Sequence, residues 1–111
     1  MKDKDIQIIR KITKRIESTL SYCEGASLED FTSNTMLQEA CVFNLLQIGE
    51  AANHLSDEFK TRFTNIPWHQ IIGLRNRLVH DYDGIRLVIV WETIQNDFPG
   101  LKKQLEQITL D

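Results

Sequence analysis

The chain has 111 residues, of which 41% are hydrophobic and 26% charged, and its net charge at pH 7 is −3. This composition matches ordinary globular domains, so it excludes a largely disordered chain and predicts a single domain over residues 1–111. The pI of about 5.6 argues against a protein that binds nucleic acid with its whole surface, because such domains are usually basic. Any contact with nucleic acid must therefore be local.

The N-terminus and the cysteines bear on location and cofactors. The segment Met1–Asp5 carries four charged residues and lacks the apolar core of a secretory signal. Elsewhere in the sequence, no apolar run approaches the roughly 20 residues of a membrane span. Cys23 and Cys41 lack the short spacing of a metal knuckle or a redox pair, so we expect buried free thiols. No His, Asp, Glu and Cys set has the spacing of a metal site. We expect a cytoplasmic protein with no membrane contact, no metal and no cofactor.

The hydrophobic pattern predicts helices from the start of the chain. From about Lys4 to Tyr22, isoleucines three and four residues apart lie on one helix face, and Gly25 follows as a typical helix stop. The cations between these isoleucines are expected on the solvated faces. Ser27 and Asp30 have the spacing of a capping box, which predicts a short helix after Gly25.

A second long helix is expected over about residues 34–55, and it is apolar on more than one side. Such a helix is central in its fold or lies at an oligomer interface. Gly49 and Ala51 are small enough to let a neighbouring backbone approach, and Glu50 lies between them, where a charge needs a partner. We expect Glu50 to orient an arginine of the motif described below or to pair across an interface. The apolar band comprises Met36, Leu37, Ala40, Cys41, Phe43, Leu45, Leu46, Ile48, Ala51, Ala52 and Leu55.

The rest of the chain continues the helical pattern. Ser56 can cap a short helix, and Pro67 favours the start of another, which should end before the Asp83–Gly84 turn. A further helix is expected from Ile85 to about Asn96, and a last one after Pro99. Together these elements predict an all-α, up-and-down bundle of about four long helices plus short ones.

Residues 71–82 carry the side chains best suited to chemistry. Arginine matches the geometry of phosphate oxygens, and histidine can act as an acid or base near neutral pH. Together they could cleave RNA without a metal, by activating the ribose 2′-hydroxyl and stabilising charge at phosphorus. The same residues could equally be solvated arginines and a histidine that satisfies the helix end. The candidates are Arg75, Asn76, Arg77, His80 and Tyr82.

Helical geometry constrains these candidates. Arg75 and Tyr82 are seven residues apart and nearly eclipsed, whereas Asn76 and His80 share another face. Arg75 and His80 lie about 140° apart around a regular helix, so they cannot easily reach one substrate atom. Either the helix ends irregularly near His80, or a second copy of the chain completes the site. Arg77 is expected in an ordinary surface ion pair, or in support of the site.

The order Arg75, four residues, His80, one residue, Tyr82 resembles the signature of HepT-type proteins of the HEPN superfamily. Segments 48–51, 65–68 and 71–74 are also similar to that family, and the likeness extends over about residues 5–108. The resemblance implies a helical bundle that forms a homodimer. It also implies that the Arg and His motifs of both subunits lie at the interface.

The resemblance further implies a function. HepT-type members are toxins of toxin–antitoxin pairs and act as metal-independent ribonucleases on RNA. Their antitoxins are minimal nucleotidyltransferases that transfer AMP from ATP to the motif tyrosine. The alternatives are a non-catalytic substrate-binding or regulatory partner subunit of a minimal nucleotidyltransferase, and a helical dimer whose nuclease activity has decayed.

Carried over by position, the family roles fall on four residues. Arg75 binds phosphate, His80 is the general acid or base, and Asn76 is a polar helper. Tyr82 accepts AMP, whose negative charge beside Arg75 would block the phosphate site.

Other notable residues are expected to have structural roles. His54 and His69 should be structural or exposed, whereas Trp68 and Trp91 should anchor the core or an interface rather than stack on bases. Three further cations are expected to be solvated unless a dimer gathers them into an RNA-facing patch: Arg86, Lys102 and Lys103.

Overall fold

The computed structural model describes residues 3–80 and 87–110, and all regular structure in these ranges is helical. For Val79, His80, Thr109 and Leu110 only the backbone is described. The all-α prediction is therefore confirmed. The elements are α1 (Asp3–Tyr22), α2 (Leu28–Thr32), α3 (Thr35–Asn53), α4 (Asp57–Arg62), α5 (Trp68–His80), α6 (Leu87–Glu92), a π-helical turn (Thr93–Asp97) and α7 (Phe98–Leu110).

Helix α3 lies at the centre of the fold, as its broad apolar band predicts. It packs against α1 on one side and α5 on another, and α1 also packs against α7. The predicted inward face of α1 is confirmed, because Ile9, Ile12 and Ile16 are all buried in the same apolar cluster as Leu45 and Ile48 of α3. Within the described ranges, no helix has both the length and the apolarity needed to cross a membrane.

Local capping sets where the short helices begin. Ser27 Oγ accepts from the Asp30 N–H at 3.1 Å, and Asp30 Oδ2 accepts from the Ser27 N–H at 2.9 Å, which confirms the capping box. Ser56 caps α4 through the Phe59 N–H at 3.1 Å. Buried Asp5 accepts both the N–H and the hydroxyl of Ser56, at 2.9 and 2.7 Å, and so ties the start of α1 to α4.

The predicted break between the last two helices is wrong. The chain stays helical from Leu87 to Leu110, with a π-helical turn, Thr93–Asp97, immediately before Phe98 and Pro99. Proline lacks an N–H and clashes with the carbonyl four residues earlier in a regular helix. Inserting one residue as a π turn relieves such a conflict without ending the helix. The Thr93 hydroxyl donates to the Ile89 carbonyl at 2.8 Å within this stretch.

Two aromatic and two sulfur side chains occupy the core as expected. Trp68, the first residue of α5, is buried and donates its indole N–H to the Phe63 carbonyl at 2.9 Å. Half-buried Trp91 packs its ring 5.4 Å from that of Phe31. Cys23 and Cys41 are buried free thiols with sulfur atoms 3.6 Å apart, which confirms that prediction.

Candidate active site

The motif helix α5 approaches α3 closely at Gly49. A Cβ at this position would lie 3.1 Å from the Ile71 carbonyl oxygen and 3.5 Å from the Arg75 amide nitrogen. A Cβ there would be closer than ordinary van der Waals contact, so a larger residue requires the two backbones to move apart by a few tenths of an ångström. This contact places the residue after Gly49 beside the first residue of the motif.

That neighbour is Glu50, and it forms an ion pair with Arg75. Arg75 Nη1 lies 3.4 Å from Glu50 Oε2, and His54 Nε2 lies 3.4 Å from Glu50 Oε1. The three side chains are partly open to solvent, with exposed fractions of 61% for Arg75, 45% for Glu50 and 61% for His54. Of the two expectations for Glu50, the structure shows pairing with the motif arginine inside one chain. Exposed His54 joins this cluster, a contact that the sequence did not predict.

Exposed ion pairs of this kind contribute little to folding. Measured values for such pairs are about 0–1 kcal/mol, because water screens the charges and two long side chains lose freedom. The cluster of Glu50, His54 and Arg75 therefore matters more for the orientation of the Arg75 guanidinium than for stability. An exposed guanidinium fixed on one side still has donors free for a phosphate.

Helix α5 presents the remaining described motif residues to solvent. Leu74 and Leu78 are buried, while Asn76 and Arg77 are exposed. Arg77 lines a groove of about 610 Å³ between α5 and the π-helical turn. It therefore lies away from α3. The motif helix thus presents Arg75 on one side and Arg77 on another.

The histidine and tyrosine of the motif are not described at the level of side chains. The backbone of α5 is α-helical as far as His80, and the His80 side chain, Tyr82, the Asp83–Gly84 turn and Arg86 lie outside the described residues. The described backbone therefore shows no irregular end of α5 before His80.

One face of α3 leaves large apolar side chains in solvent. Met36 is 83% exposed and Phe43 54% exposed. They are seven residues apart, and Glu50 follows after another seven, so all three lie along one side of the helix. Met36 and Phe43 thus form an exposed apolar stripe on one side of α3 that leads to the charged cluster.

Sequence reasoning missed a group of cations on α1. Lys11, Lys14 and Arg15 line a groove of about 560 Å³ between α1 and α3, together with Glu50 and His54 at its end. Their spacing of three and four residues was visible in the sequence. We interpreted it as a solvated face, because only the packing of α1 against α3 shows what the cations lie beside.

Arg15 contacts both a buried amide and an aromatic ring. Its Nη1 donates to Asn44 Oδ1 at 3.0 Å, and Asn44 Nδ2 donates to the Thr19 hydroxyl at 3.0 Å. The guanidinium also lies 5.3 Å from the centre of the Phe43 ring. Asn44 and Thr19 are buried polar residues of facing helices, and the hydrogen bond between them holds the Asn44 amide in the orientation that accepts from Arg15.

The donor set of the site suits phosphate rather than a metal. Across residues 3–80 and 87–110, no three His, Cys, Asp or Glu side chains are grouped so that they could hold a metal ion. Glu50 is already shared between a guanidinium and an imidazole. The site therefore offers positive charge and hydrogen-bond donors.

Comparison with known proteins agrees with the motif and the helical fold. A family model described as "Ribonuclease HepT-like" matches residues 8–108. A protein of Caldanaerobacter subterraneus subsp. tengcongensis named "Putative RNase TTE0752" is 37% identical over 100 residues, covering 90% of this chain and 89% of its own length. A protein of Thermococcus cleftensis named "Probable ribonuclease HepT" is 30% identical over 108 residues, covering 97% of this chain and 98% of its own.

A third relative, "Putative RNase MJ1380" of Methanocaldococcus jannaschii, is 30% identical over 107 residues, covering 96% and 98% of the two chains. No solved structure matches the chain significantly. The chain belongs to the HepT-like ribonuclease family.

Proposed function

We propose that this protein is a metal-independent endoribonuclease and the toxin of a toxin–antitoxin pair. The observation that carries the proposal is the Arg75 guanidinium, which is exposed on the motif helix and oriented by Glu50 at 3.4 Å. This arrangement supplies phosphate-matched donors at the surface without a metal. The names of the relatives, which are given as ribonucleases, support the same reaction class.

The proposed reaction needs one phosphate binder and one proton carrier. Arg75 donates to the non-bridging phosphate oxygens and stabilises the charge that builds up at phosphorus. His80 removes the proton of the ribose 2′-hydroxyl or delivers one to the departing 5′-oxygen. The 2′-oxygen bonds to phosphorus as the bond to the 5′-oxygen breaks, which leaves a cyclic phosphate and a free 5′-hydroxyl. Asn76, exposed beside Arg75, is the polar helper, and Arg77 could support binding from the other side of α5.

The proposed active site lies at the interface of a homodimer. Arg75 and His80 start about 140° apart on a helix that is regular through His80, so two copies can combine them more readily than one. The exposed side chains of Met36 and Phe43 lead along α3 to Glu50 and supply an apolar surface for a second copy. Burying them in a dimer would remove an exposed apolar stripe from water.

The proposed control is transfer of AMP to Tyr82 by a minimal nucleotidyltransferase. Tyr82 follows α5 seven residues after Arg75, so a phosphodiester on its oxygen could compete with RNA phosphate for the guanidinium. The proposal for Tyr82 rests on the motif spacing, because this residue lies outside the described part of the chain.

The first step is to establish whether a minimal nucleotidyltransferase is encoded beside this protein. The deciding experiment then expresses the protein with and without that partner, and incubates the purified protein with RNA in EDTA. We expect growth arrest when the protein is expressed alone, and cleavage of RNA by the purified protein in EDTA. Both effects should be lost when the partner is present. RNA that stays intact with folded, unmodified protein would instead favour the non-catalytic subunit. Cleavage that requires an added divalent metal would contradict the mechanism.

A further inference from the structure

The groove between α1 and α3 lies next to the proposed active site but belongs to neither the motif nor the apolar stripe. Three cations of α1 line one side of this groove: Lys11, Lys14 and Arg15. Glu50 and His54 lie at one of its ends. Glu50 contacts Arg75 at 3.4 Å, so the end of the groove adjoins the motif. A polymer lying in this groove would be delivered to Arg75.

The charge of the groove differs from that of the whole chain. The net charge is −3, yet Lys11, Lys14 and Arg15 place three cations within five residues of one helix along the groove. Lys11 and Lys14 are exposed, and no described carboxylate forms an ion pair with either of them. The negative charge of Glu50 is directed to Arg75 and His54. Locally, therefore, the groove attracts anions.

The far end of the groove carries an aromatic platform. Tyr22 lines the same groove and is 51% exposed. About half of this side chain at the end of α1 is therefore open to a ligand in the groove. Grooves that bind single-stranded nucleic acid without sequence preference combine cations that follow the backbone with aromatic rings on which bases stack. The α1–α3 groove has both elements.

We propose that the α1–α3 groove binds single-stranded RNA and leads it to Arg75. Lys11, Lys14 and Arg15 contact backbone phosphates, and Tyr22 stacks on a base at the far end. Asn44 holds Arg15 in place at 3.0 Å, so this cation is already oriented when RNA arrives. Asn44 and His54 are ten positions apart along α3 and its C-cap, a distance of about 15 Å along a helix, so the groove accommodates more than a single nucleotide.

This proposal rests on the proposed ribonuclease function, but binding can be measured apart from cleavage. The probe is a fluorescently labelled 2′-O-methyl RNA oligonucleotide, which lacks the free 2′-hydroxyl that cleavage needs. Its anisotropy is titrated with the full-length protein between 0.05 and about 0.3 M salt, a range over which electrostatic binding changes strongly. The test variant is Lys11→Gln/Lys14→Gln. The matched control, Lys60→Gln/Arg62→Gln on α4, removes the same charge from a helix that does not line the groove.

Loss of two phosphate contacts should weaken binding by about tenfold or more at 0.1 M salt. It should also make the slope of log K against log salt shallower by about 1.4, at 0.7 per phosphate for a single strand. The control variant should bind within about twofold of the wild type. Tyr22→Leu should weaken binding about fivefold or more without changing the salt slope. Circular dichroism and light scattering establish that every variant keeps the fold and oligomeric state of the wild type.

Three results would refute RNA binding in this groove. They are equal binding by the wild type and Lys11→Gln/Lys14→Gln, equal losses of affinity in both double variants, and no binding of the probe by the wild type. If the double variant instead resists its nucleotidyltransferase while binding RNA normally, the groove is a protein-docking surface and the RNA assignment is wrong. A different result would refute the ribonuclease proposal alone: the wild type binds the probe through Lys11 and Lys14 but leaves RNA with free 2′-hydroxyls intact.

Discussion

Glu50 and Arg75 are 25 residues apart in the chain and come from different helices, yet their side chains lie 3.4 Å apart. Their proximity depends on the residue beside Glu50. Gly49 allows the backbone of α5 to approach α3 so closely that a Cβ would lie 3.1 Å from the Ile71 carbonyl. The geometry of the proposed active site is therefore set by a packing contact as well as by the motif.

Gly49→Ala should be much less favourable than Gly73→Ala. Alanine is favoured over glycine in a helix by about 1 kcal/mol, and a Cβ at Gly73 meets nothing within 4 Å, so Gly73→Ala should gain up to this amount. At Gly49 the added methyl must displace backbone, and overpacking costs about 1–3 kcal/mol. Urea denaturation should place the free energy of unfolding of Gly49→Ala about 1–3 kcal/mol below that of Gly73→Ala. Equal values would show that α3 and α5 separate freely.

His80→Ala should abolish RNA cleavage without unfolding the protein. General acids and bases contribute about 10²–10⁴-fold to the rate. His69→Ala is the matched control, since His69 is an exposed histidine at the other end of the same helix. Cleavage by folded His80→Ala at the wild-type rate would refute the assignment.

Arg75→Lys should remain strongly impaired although it keeps the positive charge. An ammonium lacks the planar fork that binds two phosphate oxygens together, and it cannot donate to Glu50 and phosphate in the same geometry. Arg75→Ala should lose at least as much activity. Initial rates on a labelled RNA, measured in EDTA, test both variants. A fully active Arg75→Lys would mean that Arg75 supplies only charge.

Phe43→Glu should convert the proposed dimer into monomers. Light scattering of the wild type at micromolar concentration should report twice the 12.9 kDa chain mass. A charge in place of Phe43, which is 54% exposed in the single chain, would be buried without a partner in the interface. Leu28→Glu, at an apolar position of α2 that is 39% exposed, is the control and should leave the mass unchanged. A monomeric wild type that still cleaves RNA would rule out a composite site.

Tyr82→Phe should fold normally and resist silencing. The substitution keeps the ring but removes the oxygen that would accept AMP. Intact-mass spectrometry after incubation with ATP and the neighbouring nucleotidyltransferase should show an adduct on the wild type and on Tyr22→Phe, but none on Tyr82→Phe. An adduct that maps to Tyr22, or silencing of Tyr82→Phe without a covalent change, would contradict the proposed control.

The thiol of Cys41 should make the protein less stable at alkaline pH. Burial, followed by its interaction with Cys23, raises the pKa of Cys41 from 9.0 to about 12. The folded state therefore favours the neutral thiol. This contribution to stability is complete below pH 9 and is lost progressively as the pH rises from 9 toward 12. Thermal unfolding of Cys41→Ala should show a weaker decline over this interval than the wild type. Parallel curves would show that the thiol ionises freely in the fold.

The sequence by itself determined the helices and much of where they begin and end. Spacing of apolar residues at three and four positions, together with caps such as Ser27 and Ser56, depends only on neighbours in the chain, and such local patterns can be read directly. The same is true of the motif from Arg75 to Tyr82. The π-helical turn before Pro99 was missed. A proline in a helical pattern predicts a break, and only the packed structure shows that a single inserted residue keeps α6 and α7 continuous.

Only the tertiary structure decided which side chains share a surface. Glu50 had two possible partners in the sequence, and the close approach of α3 and α5 at Gly49 determines that it contacts Arg75. The cations of α1 were visible as a helical face, but their position along a groove that ends at Glu50 depends on how α1 packs against α3. Contacts between residues distant in the chain depend on the packing of several helices at once, and no local spacing encodes that arrangement.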